Sequence, residues 1–128
     1  MSATCEIEKQ HRLVISTGLD PFTLADALAH QEKLLKDPDF DPDFSHIMDF
    51  TRITGVDLEA SDIRRLAERR IFSSESLRAL IVSTDLVYGL GRMFEMIREN
   101  LGENGIRLFR DLDEALDWIL SKSKSMTA

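Results

Sequence analysis

With Cys5 as its only cysteine, the chain can form no internal disulfide and no thiolate cluster for zinc or iron–sulfur groups. Positive charge is also scarce: 16 Lys and Arg stand against 23 Asp and Glu, for a net charge of −7. Nucleic-acid binders carry a basic stripe to offset phosphate charge. The one dense basic run here, Arg64-Arg65 to Arg69-Arg70, is broken by Glu68 and flanked by Asp62. It reads as a solvated, partly self-neutralised helix face, and no nucleic-acid partner is expected. No apolar stretch approaches the ~20 residues of a membrane helix. The opening MSATCEIEKQH has no charged segment followed by an apolar run, so no signal peptide is expected and a cytoplasmic location is the simplest reading. GxSxG, P-loop, HExxH and cysteine-nucleophile signatures are missing. His11, His30 and His46 fall in a turn, a helix and a strand start without metal-ligand spacing, and read as solvated or structural. Hence no catalytic residue, cofactor or metal is expected, although an enzyme could still assemble a site from distant residues.

What is present suits one soluble domain: 128 residues, 43% apolar and 30% charged. The domain is expected over residues 1–120, with the tail SKSKSMTA, 121–128, flexible. Alternation at Cys5-Glu6-Ile7-Glu8-Lys9 predicts a half-exposed strand, turned at Gln10-His11 into a more buried one at Leu13-Val14-Ile15. So short a connection requires an antiparallel hairpin. Thr23 suits the cap of a helix carrying Leu24, Ala27, Leu28, Gln31, Leu34 and Leu35. The tandem DPDFDPDF, residues 37–44, is a loop, because its prolines lack amide donors. A strand is predicted over 46–50, a helix over 59–73, and a strand buried on both faces over 77–82. Thr84 caps a long helix to Asn100, with Leu86, Leu90, Met93, Phe94 and Ile97 facing inward. A strand over 106–109 and a helix capped by Asp111 and Glu114 close the chain. Strand–helix alternation implies a largely parallel five-stranded sheet with four helices and an N-terminal antiparallel hairpin, an α/β fold.

Several motifs invite chemistry. Asp37, Asp39, Asp41 and Asp43 alternate like the start of a calcium loop. Neither register supplies the required glycine or the bidentate glutamate, so two Pro-Asp turns with Phe40 and Phe44 tucked inward are expected. Gly89 and Gly91 in YGLGRMF are a fragment of a dinucleotide fingerprint inside a helical pattern. They suit close backbone packing or a shallow surface for a partner. Tyr88, Arg92 and Met96 recur every four residues on another face of that helix, as an interface patch or as edge packing. Asp49 at a strand end, with Thr84 after the next strand, has a weak likeness to response-regulator receivers, but Arg110-Asp111 stands where receivers place lysine and proline.

The segment Asp49-Phe50-Thr51-Arg52-Ile53-Thr54-Gly55-Val56-Asp57-Leu58-Glu59 resembles the D-L-S-x-V-x-x-M-D-S-S-G strand-end motif of anti-sigma-factor antagonists. Together with YGLGRMF and the closing DEALDWI, it makes residues 5–120 similar to the SpoIIAA-like branch of the STAS superfamily. The resemblance implies a non-enzymatic regulatory or binding module that works through protein–protein contacts or self-association. The implied partner-binding surface comprises Thr51, Arg52, Thr54, Asp57, Leu58 and Glu59, with Tyr88, Arg92 and Met96. The antagonists' phosphorylatable serine is replaced by Leu58, so that switch is expected to be absent; Ser61 lies one turn along. Asp49 is expected to bond amides of the following loop, and Asp57 to stabilise a helix start. The alternative, from the fold's similarity to Sec14-type carriers, is binding of an apolar small molecule or lipid with peripheral membrane contact.

Overall fold

The computed structural model describes residues 3–53 and 57–127. Among the described residues, five strands and four helices follow in the order β1 (Ala3–Glu8), β2 (Leu13–Gly18), α1 (Leu24–Lys36), β3 (Ser45–Asp49), α2 (Ala60–Ala67), β4 (Arg78–Ile81), α3 (Asp85–Asn100), β5 (Ile106–Phe109) and α4 (Leu112–Thr127). The strands lie side by side in chain order. β1 and β2 form the expected antiparallel hairpin, and every later neighbour is parallel. The fold is therefore α/β with a mixed, largely parallel sheet.

Register decides what each face carries. Val14, His46, Arg78 and Ile106 form one row across the sheet. Ser16, Met48, Leu80 and Leu108 form the next row on the same face, because side chains two apart share a face. Ala27 of α1, Leu66 of α2 and Phe94 of α3 pack with Met48 and Leu80 on that side. The opposite face sets Ile47, Ala79 and Ile81 against Ala115 and Ile119 of α4. β3 and β4 are thus covered on both sides, which explains their apolar runs. Fully burying a side chain such as Ile47, Ile81 or Ile119 contributes about 1.5–3 kcal/mol by removing it from water.

The helix starts follow their caps. The Asp26 amide donates to Thr23 Oγ1 at 3.2 Å, and the Asp26 carboxylate takes the Thr23 amide at 3.0 Å. The Val87 amide donates to Thr84 Oγ1, and the Asp113 amide to Asp111. α2 is capped by Glu59, whose amide donates to Asp62 Oδ2 at 2.9 Å. Asp57, expected to stabilise this helix start, is exposed and makes an isolated bridge to Thr23.

Two expectations change. α2 ends at Ala67 instead of continuing to residue 73. Arg69 leaves the helix to bond Gln31 and Glu32 on α1, and the Ser73 amide donates to the Pro42 carbonyl. Ile71 and Phe72 both enter the core beside Val14 and Leu34 from this non-helical segment. α3 is rolled relative to its expected stripe: Leu86 is 61% exposed, whereas Val87 and Arg98 are buried. Its line of closest approach runs through Gly91, where a Cβ would stand 3.0 Å from Leu108 Cδ2. α4 includes residues 121–127, which lie in the segment set apart as a tail.

The glycines separate cleanly by surroundings. A Cβ at Gly105 would meet the Ser76 carbonyl oxygen at 2.5 Å, whereas one at Gly89 meets nothing within 4 Å. Gly89→Ala is therefore expected to raise stability by about 0.5–1 kcal/mol through helix propensity. Gly105→Ala is expected to lower it. Paired urea melts check both signs.

Candidate functional site

A cavity of about 120 Å3 lies between the sheet and helices α1–α3. His46, Met48, Arg78 and Leu80 form its sheet wall. α1 contributes Ala27, His30, Gln31 and Leu34, and α3 contributes Val87, Leu90, Gly91 and Phe94. Leu58, Ile63 and Leu66 close it from the α2 side. Small residues, Ala27 and Gly91, occupy two of the lining positions.

The polar groups gather at one side of this apolar enclosure. Ser16 Oγ lies 2.7 Å from His30 Nε2 and 2.9 Å from His46 Nε2. One hydroxyl proton means that the serine donates to one imidazole and accepts from the other. Burial, reinforced by the positive charges of Arg78 and Lys33, holds His30 down at a pKa of about 4. Burial first, then Arg78 and His30, push His46 well below its ordinary value. Both rings are therefore neutral at physiological pH. His46 stacks on Phe72 at 4.6 Å between centroids, and the Arg78 guanidinium sits 4.7 Å from the Phe72 centroid and 5.2 Å from that of Phe94.

Arg78 belongs to a buried ionic cluster. Glu103 receives Arg98 Nε at 2.6 Å on Oε2 and Arg78 Nη1 at 3.3 Å on Oε1. Arg98 also donates to the Ala67 carbonyl, which fastens α3 to the end of α2. Arg78, Arg98 and Glu103 are 7%, 3% and 3% exposed. Burial pulls the Arg78 pKa below the usual guanidinium value, while Glu103 opposes the change. Among the described residues, His46 Nδ1 and Arg78 Nε have no hydrogen-bond partner.

Of the residues expected to bind a partner, only Leu58 reaches the cavity. Thr51, Arg52, Asp57 and Glu59 are exposed, and Thr54 lies outside the described residues. Asp49 Oδ1 accepts the Thr51 amide at 2.8 Å, closing the strand end as expected. Tyr88, Arg92 and Met96 are exposed on the outer side of α3. Arg92 pairs with Glu95, and the Arg110 guanidinium lies 5.0 Å from the Tyr88 centroid. Gly89 is open and Gly91 is packed, so the two glycines divide between the two uses foreseen for them. In the aspartate loop, Asp37 and Asp41 accept the amides two residues on, and Asp39 pairs with Lys9. Among the described residues, no group of three or more His, Cys, Asp or Glu could hold a metal ion. Within the same residues, no helix is long and apolar enough to cross a membrane.

His46, Arg78, Arg98 and Glu103 were not singled out as a site by the sequence. A signal was available: Arg78 interrupts an apolar run, and Arg98 stands four residues after Phe94 on the buried line of α3. No protein family, curated protein or solved structure matches this chain.

The neutral imidazoles set a pH dependence. In the unfolded chain each histidine protonates near pH 6.5, whereas the folded site resists protonation. Their contribution to stability is complete above about pH 6.5 and is lost as pH falls towards the folded value, by up to about 1.4 kcal/mol per pH unit per histidine. Melting at pH 7.5 and pH 5 should show a larger loss for the wild type than for His30→Gln. Equal losses would mean that His30 does not resist protonation on folding.

Proposed function

We propose that this chain is a small, non-enzymatic binding module that encloses an apolar small molecule between its sheet and helices α1–α3. The observation that carries the reading is the cavity of about 120 Å3, walled by apolar side chains with a few polar groups on one side. Ligand sites combine an apolar lining with sparse polar groups in this way. An engineered apolar cavity of about 150 Å3 holds one benzene ring, so a ring-sized body or short hydrocarbon is the appropriate scale. Two long acyl chains exceed it, which narrows the lipid-carrier alternative to smaller molecules. Ser16 is fully buried and bonded to both imidazoles, which speaks against its use as a nucleophile.

The SpoIIAA-like placement is part of the proposal. The 49–59 motif and the sheet order with its opening hairpin support it. A cytoplasmic location goes with that placement. Protein contact through residues 51–59 and the outer face of α3 has weaker support. Met96 is 53% exposed there, but the described contacts do not join Tyr88, Arg92 or Met96 to the residue 51–59 segment.

Toluene is a direct probe, because a ligand that binds only the folded chain stabilises it by mass action, by about 2.7 kcal/mol at a hundredfold excess over Kd. Toluene should raise the melting temperature in a saturable way and shift NMR signals of the Met48 and Leu80 methyls. No saturable binding would contradict the enclosure of an apolar ligand.

A further inference from the structure

We propose that the ligand is a small carboxylate whose apolar body fills the cavity and whose carboxylate is received by Arg78, with His46 beside it. The inference rests on the cavity reading and adds the chemistry of the head group. It comes from the buried charge balance next to the cavity. Arg78 and Arg98 together carry two positive charges, and Glu103 supplies one negative charge between them.

The sharing is unequal. The 2.6 Å contact from Arg98 has the length of a strong charge-assisted bond, whereas the 3.3 Å contact from Arg78 is stretched. Arg98 is further held by the Ala67 carbonyl. Arg78 is the member left with uncompensated charge, and burying such a charge without a full partner is costly. Its flanking rings, Phe72 and Phe94, give partial compensation through their negative faces. They do not replace a hydrogen-bond acceptor, and Arg78 Nε lacks one among the described residues.

Arg78 and His46 occupy paired positions on adjacent strands and both line the cavity. One carboxylate would bring the cluster to two positive and two negative charges. Guanidinium is suited to this ligand because its planar fork matches a carboxylate. His46 Nδ1, also without a partner, supplies a second donor when Ser16 donates its proton to His46 Nε2. The neutral walls from Met48, Leu80, Leu90 and Phe94 require that the remainder of the molecule be apolar. A ring carboxylate of benzoate size meets both conditions, while a phosphate or a second charged group would face the apolar wall.

The test compares benzoate with toluene by calorimetric titration at pH 7.5 into the full chain, and repeats both with Arg78→Met. Wild type should prefer benzoate by about tenfold or more, the worth of a charged hydrogen bond. Arg78→Met should lose that preference and retain toluene binding. Removing Arg78 leaves Glu103 paired with Arg98, so the variant is expected to fold. If it does not, the wild-type comparison of the two probes decides by itself. Toluene binding without a benzoate preference in the wild type would overturn the carboxylate assignment and leave the apolar cavity standing. Benzoate preference that survives in a folded Arg78→Met would place the anion elsewhere and also overturn it. Failure of both probes to bind would remove the cavity reading and this inference with it.

Discussion

A guanidinium buried against the parallel part of the sheet governs much of this molecule. Arg78 projects from β4 into the layer that α1, α2 and α3 would otherwise seal with hydrocarbon. Around it the chain arranges two aromatic rings, a shared carboxylate and a second arginine. The same charge helps to keep His30 and His46 neutral. A buried ion pair of this kind is weak evidence for stability, since hydrophobic residues of similar volume often serve as well or better. The proposed carboxylate would supply the partner that Arg78 Nε lacks among the described residues.

The ionic cluster also ties the helical layer together. Glu103 follows α3, Arg98 lies near its end, and Arg98 donates to the carbonyl of Ala67 at the end of α2. Arg78 connects the same glutamate to the sheet. A ligand that draws on Arg78 would therefore act on the contact that joins β4, α2 and α3. On the opposite face, α4 packs Ala115 and Ile119 against β3 and β4. The sheet is thus backed by a close-packed layer on one side and by a partly hollow one on the other.

Most of the fold could be read from pattern alone. The alternation at 5–9, the caps Thr23 and Thr84 and the apolar core of β4 each have one physical meaning. The order of elements therefore came out correctly, as did the antiparallel hairpin. Errors arose where two residues competed for the same role. In α3, Leu86 and Val87 are equally apolar, and only the close approach of Gly91 to Leu108 selects Val87 for the interior. In α2, the spacing Ala67–Ile71 continued a helical stripe, yet the turn at Arg69 lets Ile71 and Phe72 enter together. The candidate site was less legible. Arg98 and Glu103 are close in sequence, but Arg78 lies 25 residues before Glu103, and charged residues are ordinarily solvated. Their meeting depends on strand register and helix roll, which sequence spacing does not specify. The motif at 49–59 drew attention to its polar residues, whereas the described residues of that segment that reach the cavity wall are the apolar Phe50, Ile53 and Leu58.

The central claim is that a persistent apolar cavity lies beneath α1–α3 and against Arg78. Xenon binds empty apolar cavities without requiring any particular head group. A crystal of this protein pressurised with xenon should show an ordered atom enclosed by Met48, Leu80, Leu90 and Phe94, with the Arg78–Glu103 pair intact. A structure in which Phe94 or Leu66 has moved in to fill that space, with no xenon bound there, would contradict it.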